Sequence, residues 1–173
     1  MEVVDLAKFI RNIPDFPIKG ILFRDITPLL KDKYAFKSAI SMLADNFRHH
    51  NVDLVSAVEA RGFIIGAPLA MELSAGFVPI RKPGKLPYES IREEYALEYG
   101  TNVLEMHKDA IKPGDKVLIA DDLIATGGTA IACKNLVERL GGKVVGFAFL
   151  VELTEFKARE LLKGYDICSL LKF

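Results

Sequence analysis

Two cysteines and three histidines in 173 residues leave little from which to build a disulfide framework or a zinc centre. Cys133 falls in a helix-patterned segment and Cys168 in the last apolar run, placements that suit buried, reduced thiols. His49 and His50 close a helical pattern and His107 stands alone, so zinc is not expected. Net charge is also lacking: 23 basic side chains balance 23 acidic ones, which argues against a nucleic-acid surface spread over the chain but permits a local basic pocket. No segment approaches ~20 uninterrupted apolar residues, and the first residues lack the basic, apolar and small-residue succession of a secretory leader. The expectation is a cytoplasmic protein with neither nucleic-acid nor membrane partners. Its length suits one domain, residues 1–173, with a core that needs no staples.

Two common phosphate loops are missing as well. A Walker A loop needs a lysine after its second glycine, and none follows Gly128; a dinucleotide fingerprint needs spaced glycines, and here Gly127 and Gly128 are adjacent. What the chain has instead is Val117-Leu118-Ile119-Ala120-Asp121-Asp122, followed by Leu123-Ile124-Ala125-Thr126-Gly127-Gly128-Thr129 and a helical pattern over 130–140. The pattern predicts a buried parallel strand ending on two carboxylates, then a small-residue turn whose helix-start amides face an anion. Glycines permit close approach of a phosphate, and Thr126 and Thr129 add hydroxyl donors. Two acids beside a phosphate cradle suit sugar hydroxyls or a divalent cation. Phosphate, diol and metal together point to a phosphorylated sugar.

The remaining pattern supplies the surroundings. Helices are expected over 2–12, 34–50, a run ending near Leu73, and 155–163, the last capped by Thr154 and ended by Gly164. Strands are expected over 53–58, 77–81, 143–153 and 165–173. Residues 15–30 read as a packed hood without regular elements, and 88–107 as two antiparallel strands turning near Tyr99-Gly100. Strands alternating with helices imply an α/β fold with a mainly parallel sheet flanked by helices, binding ligands at the carboxyl ends of its strands. Arg61 follows such an end and suits either an anion or an ion pair with Glu59 or Glu72. Arg81, Lys82 and Lys85 follow another, in a loop that reads equally as a solvated surface or a polyphosphate site.

The run of apolar residues, two acids and Thr-Gly-Gly resembles the donor-binding motif of type I phosphoribosyltransferases. Phe23-Arg24-Asp25-Ile26, Glu59-Ala60-Arg61-Gly62-Phe63, the Arg81 to Pro87 loop, Leu97-Glu98-Tyr99-Gly100 and Val151-Glu152-Leu153 extend the resemblance, in collinear order, to the adenine-specific branch. Departures are mild: Ile124 stands where Leu is common, and the C-terminus is short. The resemblance implies transfer of the 5-phosphoribosyl group of 5-phosphoribosyl 1-pyrophosphate to adenine, with Mg2+, in a homodimer. It implies a hood at about 13–30 and a flexible cover loop at about 86–108. Ala125, Thr126, Gly127, Gly128 and Thr129 would hold the 5-phosphate. Asp121 and Asp122 would meet the ribose hydroxyls, the metal would bind mainly through the substrate with Asp121 or Asp122 as its protein contact, and Arg61, Arg81, Lys82 and Lys85 would clamp pyrophosphate. Leu22, Phe23, Arg24 and Leu153 would surround adenine, and Glu98, by composition alone a surface acid, would transfer the proton. An oxopurine transferase and a non-catalytic regulator that senses the donor are the alternatives.

Overall fold

The computed structural model describes residues 4–96 and 100–173. Strands β1 (Arg11–Pro14) and β2 (Leu22–Asp25) pair antiparallel, and helices α1 (Thr27–Lys31) and α2 (Lys33–Phe47) follow. Then come β3 (Leu54–Val58), α3 (Arg61–Glu72), β4 (Gly76–Ile80), the antiparallel ribbon β5 (Ser90–Ala96) and β6 (Thr101–His107), β7 (Lys116–Ile124), α4 (Gly128–Arg139), β8 (Lys143–Glu152) and β9 (Asp166–Lys172). The parallel sheet has the order β4-β3-β7-β8-β9.

The sheet's middle is specified by apolar content. Strands β7 and β8 are buried along most of their length, as strands covered on both faces must be. Leu118 and Ala120 enter a core with α2 and α3, while Val117 and Ile119 enter a second core with α4. Phe147 and Phe149 are fully buried in that second core, at roughly 1.5–3 kcal/mol of transfer free energy each. Helix α2 starts where the Asp32 carboxylate accepts the Tyr34 and Ala35 amides. Helix α3 lies so close to β3 that a Cβ at Gly66 would come within 2.6 Å of the Ala57 Cβ. This packing brings the carboxyl ends of β3 and β7 side by side. Among the described residues, no helix is long and apolar enough to cross a membrane.

Three expectations are corrected. Residues 2–12 do not form a helix where they are described: one 3-10 turn, Leu6–Phe9, is followed by β1, because the chain leaves the turn to pair Arg11–Pro14 with Leu22–Asp25. The hood segment, read as irregular, holds β2 and α1, a tertiary pairing that Pro17 and Gly20 conceal in the local pattern. The helix expected over 155–163 is two 3-10 turns, Thr154–Phe156 and Ala158–Glu160, split by Lys157 at φ 52°. Thr154 does not cap it; its hydroxyl donates to the Phe173 carbonyl at 2.8 Å.

That broken segment is held down by charge. Arg159 donates to both Glu152 carboxylate oxygens, Nε to Oε1 and Nη2 to Oε2 each at 2.8 Å, and this pairing keeps Glu152 below the usual carboxylate range. The stabilisation is therefore complete above the unfolded value of about 4.5 and is lost as pH falls through the lowered folded value. Glu152→Gln should cost about 1–3 kcal/mol at pH 7. Urea denaturation of both proteins at pH 7 and pH 3 checks this: the difference should shrink at the lower pH, and an unchanged difference would count against it.

Candidate active site

Strand β7 does not stop at its acids; Asp121 and Asp122 lie within it and the turn follows Ile124. Gly127 then takes φ 90°, a left-handed geometry that favours glycine, and supplies no side-chain acceptor to the start of α4. A helix beginning this way leaves its first amides facing outward with partial positive charge. They open on a cavity of about 230 Å³ lined by Asp121, Asp122, Thr126, Gly127 and Thr129, among others. Below the turn, a Cβ at Gly127 would lie 3.2 Å from the Ala158 Cβ, so the Glu152–Arg159 pair fixes the floor on which the turn rests.

The two acids are held differently. Asp122 is buried, and its Oδ2 lies 2.6 Å from Arg61 Nε. Burial first, and then the neighbouring Asp122, push the Asp121 carboxyl well above the usual carboxylate range. The Arg61 guanidinium beside Asp122 compensates one of the two acids, which is how both sit beside a phosphate cradle. Arg61 is the first residue of α3, where a cation meets the positive end of the helix dipole. Asp122 offsets that cost, and the Arg61 guanidinium also lies 5.6 Å from the Phe23 ring centre. Of the two ion pairs considered for Arg61, Glu72 instead engages Arg48 and Glu59 engages Arg81.

Glu59 organises the cationic loop. It accepts Arg81 Nη2 at 3.0 Å and the Lys82 amide at 2.6 Å. Burial alone would raise its pKa, but the Lys82 amide and Arg81 together bring it below the ordinary value. Lys82, Arg61, Asp121, Asp122 and Thr129 meet in a second cavity of about 360 Å³. Arg81 and Lys85 line neither of these cavities; the Arg81 guanidinium is engaged with Glu59 and the Lys85 carbonyl.

The expected base-binding group is divided by strand alternation. Leu22, Arg24 and Leu153 line a cavity of about 610 Å³ with Phe173, whereas Phe23 lies beside Arg61. Arg24 bonds the Asn12 side chain and lies 4.1 Å over the Phe173 ring. Glu98 lies outside the described residues. Among those residues one group beyond the site, His49, His50 and Asp166, brings ligand-type atoms within 4.8 Å of one another. It stands at the amino ends of the strands, where Lys116, Lys143 and Lys163 oppose a dication. Sequence reasoning missed Glu59 as a brace and Gly62, whose added Cβ would lie 2.8 Å from Asp121 Oδ1. A glycine directly after Arg61 was the available signal.

A family model for the phosphoribosyl transferase domain matches residues 27–169, the class of domain to which this sheet and loop correspond. The adenine phosphoribosyltransferase of Thermotoga maritima is 58% identical over 173 residues, 100% of each chain. The crystal structure of the enzyme from Thermoanaerobacter pseudethanolicus is 57% identical, with TM-score 0.94 and 98% of each chain covered. The Saccharomyces cerevisiae enzyme, complexed with an imino-altritol bisphosphate and adenine, is 38% identical, with TM-score 0.87 over 96% of this chain and 97% of its own. The chain belongs to the adenine phosphoribosyltransferase family.

Gly62→Ala tests the crowding at Asp121. Moving the carboxylate aside should weaken ribose 5-phosphate binding by about tenfold, or 1.4 kcal/mol. Calorimetric titration of both proteins measures it, and an unchanged affinity would show that Asp121 has room to adjust.

Proposed function

We propose that the chain transfers the 5-phosphoribosyl group of 5-phosphoribosyl 1-pyrophosphate to adenine, releasing AMP and pyrophosphate, at the cavities between β3, β7 and α4. One observation carries the reading: the uncapped start of α4, the acid pair and the cations Arg61 and Lys82 converge on adjoining cavities. That is the charge pattern of a sugar with a phosphate at one end and a polyphosphate at the other.

The division of labour follows from position. The turn from Ala125 to Thr129 receives the 5-phosphate on its amides and hydroxyls. Asp121 and Asp122 receive the ribose hydroxyls, which requires Asp122 to part from Arg61. Released, Arg61 joins Lys82 on the pyrophosphate, so the ion pair of the free site is exchanged for one ion pair with pyrophosphate and hydrogen bonds from the ribose hydroxyls to Asp122. Lys85 adds charge from the loop, and Arg81, braced by Glu59, fixes that loop's course. In a homodimer, a loop cation also reaches the neighbouring subunit's site.

Mg2+ fits this donor set, since it takes oxygen ligands, keeps several of its waters and needs only one or two carboxylates beside substrate phosphates. It would bind mainly through the substrate, with Asp121 or Asp122 as its protein contact, and would supply neutralisation of charge on the departing pyrophosphate. Arg61 and Lys82 add fixed positive charge as the C1–O bond breaks. Bond breaking ahead of attack leaves a cation-like ribosyl group, and a cover at about 86–108 keeps water from it. Glu98, in that cover, serves the proton of the purine ring. The hood at about 13–30 presents backbone atoms to the edge of adenine, with Phe23 packing from the side of Arg61 and Leu153 from the side of Leu22 and Arg24. Hypoxanthine would leave those polar atoms unmatched, which discriminates strongly. The adenine in the yeast relative supports this choice of base.

A panel of purine bases supplied with donor and magnesium, with nucleotide and pyrophosphate both measured, tests the assignment. AMP from adenine alone is expected; turnover of hypoxanthine or guanine would move the protein to the oxopurine class, and donor binding without release of pyrophosphate would make it a sensor. Glu98→Gln should lower kcat by about 10²–10⁴-fold with donor binding retained. Ordinary turnover in that variant would remove Glu98 from the reaction.

A further inference from the structure

The antiparallel ribbon touches the phosphate turn through one side chain. Tyr95, near the end of β5, places its hydroxyl 3.1 Å from Thr129 Oγ1. Its ring lies against the turn, and a Cβ added to Gly128 would meet Tyr95 Cδ2 at 3.4 Å. The strand is fixed there by α4 itself: Asn135 Nδ2 donates to Glu93 Oε1 at 2.7 Å, and Arg139 bonds the Arg92 carbonyl and the other Glu93 oxygen. Tyr95 is therefore pinned over the amino end of the helix that presents the turn.

The hydrogen-bond polarity gives this contact a direction. Asn102 Nδ2 lies 3.5 Å from the Tyr95 oxygen and can only donate to it. Either hydroxyl can donate in the Tyr95–Thr129 bond, and a donor already on the Tyr95 oxygen favours Tyr95 giving its proton to Thr129 Oγ1. The Thr129 proton is then left to point away from the ribbon, toward the cavity at the start of α4 that Thr129 lines with Thr126 and Gly127. A chain of donors ending in an outward hydroxyl is completed by an acceptor, and successive donors polarise one another. A phosphate oxygen, which only accepts, completes it, whereas an ammonium or guanidinium group, which only donates, does not.

We infer that Tyr95 is a positioning residue of the 5-phosphate subsite, setting the direction of the Thr129 hydroxyl proton through an Asn102–Tyr95–Thr129 donor chain. The inference rests on the assignment of Thr129 to the 5-phosphate. It also ties the ribbon to that subsite, because the same tyrosine belongs to both.

Tyr95→Phe, Thr129→Val, the double variant and Thr129→Ser are titrated with ribose 5-phosphate and separately with adenine. Tyr95→Phe retains the ring and should bind ribose 5-phosphate about tenfold more weakly, the size of one hydrogen bond to a charged group, with adenine affinity and melting temperature unchanged. Thr129→Val should show a loss at least as large, Thr129→Ser should restore binding, and the double variant should be no weaker than Thr129→Val alone. If Thr129→Val binds like the unaltered protein, the assignment of the turn fails and the inference with it. If Thr129→Val is impaired while Tyr95→Phe is not, or if their effects add in full, the donor chain is rejected and the turn stands. Equal losses of adenine and ribose 5-phosphate affinity in Tyr95→Phe would mark a merely structural tyrosine.

Discussion

The amino end of α4 has no protein acceptor from its N-cap residue, and the surrounding structure can be understood as a response to that fact. Gly127 makes the helix start with a left-handed turn, so no serine or aspartate side chain occupies the place where an anion belongs. A helix start left in this way is costly unless water or a ligand meets it. The protein accepts the cost and props the turn from beneath with Ala158, itself held by the pairing of Arg159 with the buried Glu152. Cys133 lies in the same helix, and burial first, then the nearby Asp121, push its thiol above the ordinary value, so it acts as an inert packing residue.

A second constraint is charge balance in the absence of a ligand. The site gathers anions and cations that the proposed function assigns to different parts of one substrate, and in the free protein they meet each other. Arg61 rests on Asp122, and Arg81 rests on Glu59. On the proposed assignment the first pair is built from groups with separate substrate partners, so binding exchanges it for a pyrophosphate on Arg61 and hydrogen-bonded ribose hydroxyls on Asp122. The second joins a loop to the end of β3 and preserves the course of that loop. Two ion pairs of similar length thus have different consequences, decided by what each partner would otherwise touch.

Much of this was legible in the sequence. The apolar run into Asp121-Asp122 and the Thr-Gly-Gly turn identify the strand, loop and helix, because burial of a parallel strand and the geometry of a phosphate turn are both written locally. What was not legible depends on distant partners. Residues 2–12 carry helix-compatible apolar spacing, yet Arg11–Pro14 joins a strand supplied by Leu22–Asp25. Residues 155–163 look helical until Lys157 adopts a left-handed conformation and Arg159 turns to Glu152. Strand alternation separates Phe23 from Leu22 and Arg24, a division that a contiguous motif hides. The tyrosine on the ribbon gave no local signal, since its partner lies 34 residues further along the chain.

The most direct test of the central claim is a crystal structure of the protein with ribose 5-phosphate. The account predicts the phosphate within hydrogen-bonding distance of the amides and hydroxyls from Thr126 to Thr129, with Asp121 and Asp122 toward the ribose and Arg61 displaced from Asp122. A phosphate seated elsewhere, with the α4 start bare and the Arg61–Asp122 pair intact, would contradict it.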